Sequence, residues 1–158
     1  MIDKIGLKTT IKELVAYKKI EPGINEVSES AKFSGELFKL GARTGDPNMV
    51  LFYDPKDDPG CRREVLIPIE KEVEGVETKM MPVMKVAFLV FTGTDQSIEY
   101  YYEELYKYIA AEGLKPASSL CSVEAVFQPD EFNLSYGSFI DEDNAEQWRT
   151  EIMVPVEE

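Results

Sequence analysis

The chain of 158 residues contains no histidine. That absence removes imidazole acid–base catalysis, a Ser-His-Asp triad, His-bearing zinc sites and the usual axial ligand of haem. Cysteine is almost as scarce. Cys61 and Cys121 stand 60 residues apart with no Cys-x-x-Cys, so no redox pair or thiolate cluster is encoded locally, and a bridge between them is not expected in a reducing compartment. Basic residues are outnumbered, 17 Lys and Arg against 30 Asp and Glu, for a net charge of −13. The pair Arg62-Arg63 is isolated, with no helix-turn-helix pattern around it, so direct nucleic-acid binding is not expected.

Long hydrophobic runs are missing too. Val86 to Phe91 is the longest at six residues, against about 20 needed to cross a bilayer. Met1-Ile2-Asp3-Lys4 carries neither the apolar run nor the cleavage site of a signal peptide, which makes a cytoplasmic protein without membrane association the expectation. A glycine-rich phosphate loop and EF-hand spacing are both absent. Asp57-Asp58 and Asp141-Glu142-Asp143 read as solvated turns, and Asn133-Leu134-Ser135 matches a glycosylation acceptor without meaning inside a cell. No metal and no cofactor are expected.

What the chain does contain is a pattern stated twice. Ile11 to Ile20 is rich in strand formers and stops at Glu21-Pro22-Gly23. Helical spacing follows through Ile24, Val27, Ala31, Leu37, Phe38 and Leu40, with Gly41 as a terminus. Met49 to Tyr53 and Arg62 to Ile69 are strands joined by the turn Asp54 to Gly60, and Pro68 marks a strand end or edge. The second half repeats this order: a strand within Met80 to Thr92, a helix capped by Thr94 or Asp95 and closed at Gly113, then strands Leu120 to Phe127 and Arg149 to Val156. Arg63-Glu64-Val65-Leu66-Ile67-Pro68-Ile69 answers Thr150-Glu151-Ile152-Met153-Val154-Pro155-Val156. The reading is one α+β domain over residues 1–158, with duplicated β-α-β-β halves (about 7–72 and 78–156). They form an antiparallel sheet with helices on one face and a cleft between the halves.

Two features carry chemistry. Glu124 interrupts the apolar strand Ser122-Val123-Glu124-Ala125-Val126-Phe127; alternation sets it with Ser122 and Val126, opposite Val123, Ala125 and Phe127. A carboxylate there must face solvent, pair with a donor or floor a polar cavity, because an unpaired buried charge is expensive. Aromatics are abundant, with eight Tyr, eight Phe and one Trp. Tyr100, Tyr101, Tyr102, Tyr106 and Tyr108 crowd one helix; Tyr101, Leu105 and Tyr108 suit the sheet side, Tyr102 and Tyr106 an adjacent flank. Aromatic walls with one carboxylate suit a lipophilic organic cation. Charge is uneven: residues 1–79 carry 13 basic and 15 acidic groups, residues 80–158 only 4 and 15, which reads either as support for solubility alone or as a field that attracts a cation or repels nucleic acid.

The doubled order, Phe52-Tyr53-Asp54-Pro55, the helix Ser97 to Leu105 followed by Tyr108-Ile109, Val123-Glu124-Ala125-Val126-Phe127 and the final Thr150 to Val156 together resemble the GyrI-like small-molecule-binding domain. That domain is also the effector-binding half of multidrug-sensing transcription regulators and is related in fold to SOUL domains. The resemblance spans about residues 7–156. It implies a pocket between the halves for flat or lipophilic, often cationic compounds, with the family's acidic residue at Glu124. Members sense drugs, inhibit DNA gyrase or sequester toxic compounds, and one branch hydrolyses cyclopropane-bearing alkylating agents with a pocket Glu and an aromatic hydroxyl. This chain departs from the regulator pattern in that no DNA-binding domain is expected, in having Ile98 where many members have Tyr, and in a long acidic insert, Asp130 to Gln147, expected to cover one end of the cleft.

The leading expectation is a stand-alone domain that binds or sequesters lipophilic cations, with Glu124 as countercharge and Phe52, Phe88, Tyr102, Trp148 and Tyr17 as ligand-binding aromatics. The alternatives are a hydrolase of strained electrophiles with Glu124 as general base and a Tyr as donor, or a protein-interaction module, such as a gyrase-type inhibitor, acting through Asp141, Glu142 and Asp143.

Overall fold

The computed structural model describes residues 1–93, 95–127 and 148–157. Its elements are β1 (Ile2–Thr9), β2 (Glu13–Ile20), α1 (Glu26–Lys39), β3 (Asn48–Phe52), β4 (Arg63–Pro68), β5 (Thr78–Met81), β6 (Lys85–Thr92), α2 (Ile98–Ala111), β7 (Lys115–Pro116), β8 (Ser122–Phe127) and β9 (Arg149–Glu157). The β-α-β-β order therefore occurs twice, as β2-α1-β3-β4 and β6-α2-β8-β9. β1, β5 and β7 add to what the sequence pattern suggested. The apolar stretch from Met80 to Thr92 is divided because Pro82, which has no N–H for a ladder, ends β5 before β6 begins.

The strands form an antiparallel sheet in the order β1-β6-β9-β8-β3-β4-β2-β5, with β7 paired to the end of β9. The leading strands are exchanged: β1 precedes the first repeat but pairs with β6, whereas β5 precedes the second and pairs with β2. The registers obey a two-fold relation. Tyr17 and Met49 both pair with Leu66, as Phe88 and Val123 both pair with Met153. Tyr17 thus corresponds to Phe88, Met49 to Val123, and Val50 to Glu124. The axis passes between β3 and β8, where Val50 and Glu124 are themselves paired.

Both helices pack on one face. α1 buries Phe33 and Leu37 against Ala16, Ile20, Val65 and Ile67. α2 buries Tyr101, Leu105 and Ile109 against Ala87, Leu89, Ile152 and Val154, each such side chain contributing about 1.5–3 kcal/mol. Asn25 caps α1, accepting from the Ser28 N–H at 3.0 Å. Gly41 and Gly113 end the two helices at φ 75° and 74°, where a Cβ would be strained. The cap of α2 differs from expectation: Ser97 is the N-cap, and Asp95 accepts from the Tyr101 hydroxyl at 3.1 Å. Thr94 lies outside the described residues.

The helix-free face has its own core, including Val15, Leu66, Val86, Phe88, Val123 and Met153. It also carries two charged pairs related by the two-fold axis. Lys79 Nζ lies 2.5 Å from Glu64 and 4.4 Å from the Tyr17 ring centre; Lys8 Nζ lies 2.5 Å from Glu151 and 4.9 Å from the Phe88 ring centre. Each pair ties an exchanged leading strand to the repeat it has joined. The strands ending at Pro68 and Pro155 are not sheet edges, since β4 lies between β3 and β2, and β9 between β6 and β8. Pro68 closes β4, and Pro155 lies past Met153, the last residue β9 pairs with β8.

Candidate functional site

The alternation of β8 aims Ser122 and Glu124 at the helices and places Val123 and Ala125 in the opposite core. Glu124 sits at the centre of the sheet with its side chain 14% exposed. Two groups satisfy it. The Tyr102 hydroxyl, one turn into α2, donates to Oε2 at 2.5 Å, and Lys56 Nζ reaches the same oxygen at 2.8 Å. Tyr102 Oη also lies 3.0 Å from Ser122 Oγ; the phenol spends its one proton on the carboxylate, leaving Ser122 to donate back. The Lys56 ammonium stands 5.1 Å from the Phe52 ring centre and 5.8 Å from that of Tyr102, within the range of a cation–π contact.

Lys56 arrives on the turn between β3 and β4, which is firmly closed. Asp54 accepts from Arg62 three times, from the backbone N–H at 2.9 Å and from the guanidinium at 3.0 and 2.9 Å. These bonds hold the Asp54 carboxyl down at about 2. Burial, then the Glu124 charge, pushes Tyr102 far above an ordinary phenol, so near neutral pH it is a proton-bearing donor. Burial and the neighbouring Cys121 push Tyr106 up to about 12, and burial likewise raises the Cys121 thiol, which disfavours the nucleophilic thiolate.

Outside this cluster lies a cavity of about 420 Å³. Pro55, Ile98, Tyr102 and Tyr106 give it apolar walls, Lys56 and Ser122 a polar base, and Asp57, Glu99 and Glu103 add three carboxylates. The Tyr102 and Tyr106 rings stand 6.4 Å apart at 28°, on the flank that the helical spacing suggested. Glu124 and Phe52 are not among the lining residues; they stand behind Lys56 and Tyr102.

Of the aromatics and acid singled out in the sequence, the structure brings together Glu124, Tyr102 and Phe52. Phe88 and Tyr17 belong to the helix-free face, on β6 and β2, with one and two strands respectively between them and β8. Trp148 precedes β9 by one residue, four positions from Ile152, which pairs with Glu124, or about 13 Å along the strand. Its indole N–H is buried without a hydrogen-bond partner among the described residues. The acidic run Asp141 to Asp143, the rest of the insert from Asp130 to Gln147, and Asn133 lie outside the described residues.

Lys56 and Cys121 were not singled out for the site. Lys56 is one of 17 basic residues and sits in an acidic turn, so only tertiary structure shows what it meets. Both cysteines are free, Cys61 buried and Cys121 half-buried beside Tyr106. Among the described residues no group of three or more acidic or thiol side chains is placed to hold a metal ion, and no helix is long and apolar enough to cross a membrane.

No protein-family model matches the chain, and no curated protein matches it by sequence. Likeness is visible in three dimensions. The C-terminal domain of EcmrR has a TM-score of 0.75 at 16% identity, covering 98% of this chain and 98% of that one. SAV2435, in a structure bound to tetraphenylphosphonium, has a TM-score of 0.57 at 15% identity, covering 98% and 94%. A hydrolase from Listeria innocua has a TM-score of 0.61 at 10% identity, covering 98% and 92%. The fold shared with these proteins is the GyrI-like α+β architecture that the sequence resemblance implied.

Proposed function

We propose that this is a cytoplasmic small-molecule-binding domain that captures lipophilic organic cations, with Glu124 as the countercharge. The observation that carries the reading is a mostly buried carboxylate at the sheet centre, set behind an aromatic cavity whose lining holds three further carboxylates. The cavity volume falls in the usual range of ligand pockets, roughly 300–1,000 Å³. Aromatic faces at Phe52 and Tyr102 already have a cation between them in the form of Lys56. The acidic second half adds a long-range field of the right sign. Tetraphenylphosphonium, seen bound to SAV2435 in the same fold, is a lipophilic cation.

The test is calorimetric titration of wild type and Glu124→Gln with tetraphenylphosphonium and with neutral triphenylphosphine oxide. Micromolar binding of the cation is expected, weakened about 5- to 150-fold by the substitution, which corresponds to about 1–3 kcal/mol for a charge-assisted contact. Equal affinity for the cation and the neutral compound in both proteins would overturn the reading.

The 2.5 Å contact between the Tyr102 hydroxyl and Glu124, in a fold shared with a Listeria hydrolase, also supports a second reading. Glu124 would take a proton from water attacking a strained electrophile while Tyr102 donates to the departing atom. Turnover abolished in Glu124→Gln with binding preserved would select this reading over sequestration.

A further inference from the structure

We infer that Lys56 is a tethered ligand of the Glu124 site, occupying in the unliganded protein the position that a bound cation takes. The inference rests on the cation-binding reading above and goes beyond it by naming what a ligand must displace. The geometry is that of a filled cation site: Nζ lies 2.8 Å from the carboxylate and between two aromatic rings at 5.1 and 5.8 Å. Lys56 and Tyr102 both line the 420 Å³ cavity and both contact Glu124, which does not line it. A cation entering from that cavity would take the place beside the carboxylate that the ammonium holds.

The structure also provides somewhere for it to go. The turn backbone is fixed by Asp54 and Arg62 and by the bonds Asp58 N–H to Pro55 C=O and Cys61 N–H to Asp58 C=O, each 3.0 Å. The lysine stem can therefore swing while its Cα stays in place. Lys56 also lines a second, adjoining depression of about 130 Å³, where Asp58 supplies a carboxylate and Glu26 is paired with Arg63 at 3.2 Å. An ammonium leaving Glu124 has the Asp58 carboxylate to turn to.

A tethered ammonium competes at an effective concentration of order millimolar. A small hydrophilic cation offers nothing that the lysine lacks and is excluded. A cation with an aromatic body gains the burial of that body against Ile98, Tyr102 and Tyr106, and displaces it. Lys56 thereby makes the site selective for lipophilic cations over amines and inorganic ions.

Lys56→Met is expected to bind tetraphenylphosphonium at least tenfold more tightly than wild type and to bind tetramethylammonium measurably, with triphenylphosphine oxide unchanged. In a Glu124→Gln background the same substitution should give no gain. A readout on the wild type covers the case in which the variant folds poorly: the acetylation rate of Lys56, normalised to exposed Lys12, should rise when tetraphenylphosphonium is added. An unchanged or lower rate overturns the tethered-ligand role. If Glu124→Gln loses cation binding while Lys56→Met gains none, the tethered-ligand role fails and the cation site stands. If none of the three proteins binds a cation, both fail.

Discussion

Val50 and Glu124 occupy equivalent positions in the two repeats and face each other across the two-fold axis. Val50 packs with the α1 cluster, among residues such as Val65 and Leu37. Glu124 meets Tyr102 of α2. At the neighbouring charged positions the repeats agree instead: Glu64 with Lys79, and Glu151 with Lys8, each at 2.5 Å. Those shared pairs close the exchanged leading strands, an architectural task that both halves face. A carboxylate present in one half alone has no such task to explain it. The difference separates charge that the fold needs from charge that the fold tolerates for another purpose.

The comparison breaks most visibly if its apolar member is made acidic. Val50→Glu would place a carboxylate against α1, which buries Phe33 and Leu37 there and has the short side chain of Ser30 at its fifth position, where α2 has the long reach of Tyr102. The cation two strands along that row, Lys18, is already held by Glu29 and Glu36 at 3.5 and 3.4 Å. A cost of about 2–4 kcal/mol is expected for a poorly paired, partly buried charge, read from urea unfolding midpoints. A loss below about 1 kcal/mol would mean that the α1 side accommodates a carboxylate as readily as the α2 side, and the contrast would lose its content.

The converse substitution should do much less. Glu124→Val makes the two repeats alike and removes the ion pair together with its desolvation cost, so stability is expected to stay within about 1 kcal/mol of wild type. Lys56, one-third exposed on its turn, returns to water. Cation binding should be lost in the same variant. A destabilisation of about 3 kcal/mol or more would put Glu124 in the architectural class with Glu64 and Glu151.

How far the sequence reveals this contrast depends on the range of the interaction. Alternation within β8 places Glu124 on the side of Ser122 and Val126, and the 3.6-residue period of α2 separates Tyr101 from Tyr102. Both rules are local, and both hold. The match of Arg63–Ile69 with Thr150–Val156 shows the repeat. Alternation relates residues within one strand, however, and gives no relation between strands. In Val86 to Phe91 every residue is apolar, so nothing local sends Phe88 to the helix-free face, where it corresponds to Tyr17. The exchange of β1 and β5 is equally hidden, because Ile5 and Leu7 remain about one-third exposed on an edge strand and Lys79 and Lys8 read as ordinary surface charges. Lys56 is the extreme case. Its role is fixed by where a turn comes to rest against another repeat, and no spacing in the chain encodes that.

The smallest effect sharpens the comparison at that turn, the part of the first repeat that reaches across to the glutamate of the second. Asp54 closes it through Arg62, and its carboxyl is held at about 2 against an ordinary 3.8. A folded-state pKa below the unfolded one contributes stability at pH above about 4 and loses it as pH falls through about 2. The pair is exposed, so the change should be local. Followed by NMR, the Arg62 amide proton should shift with a midpoint near 2, while the position of Lys56 stays constant from pH 8 to pH 5. In Asp54→Asn that titration disappears, and cation binding rises modestly because the turn no longer holds Lys56 so firmly over Glu124. A midpoint near 3.8 would show that the clamp does not set the turn, and the placement of Lys56 would have to come from its contact with Glu124 alone.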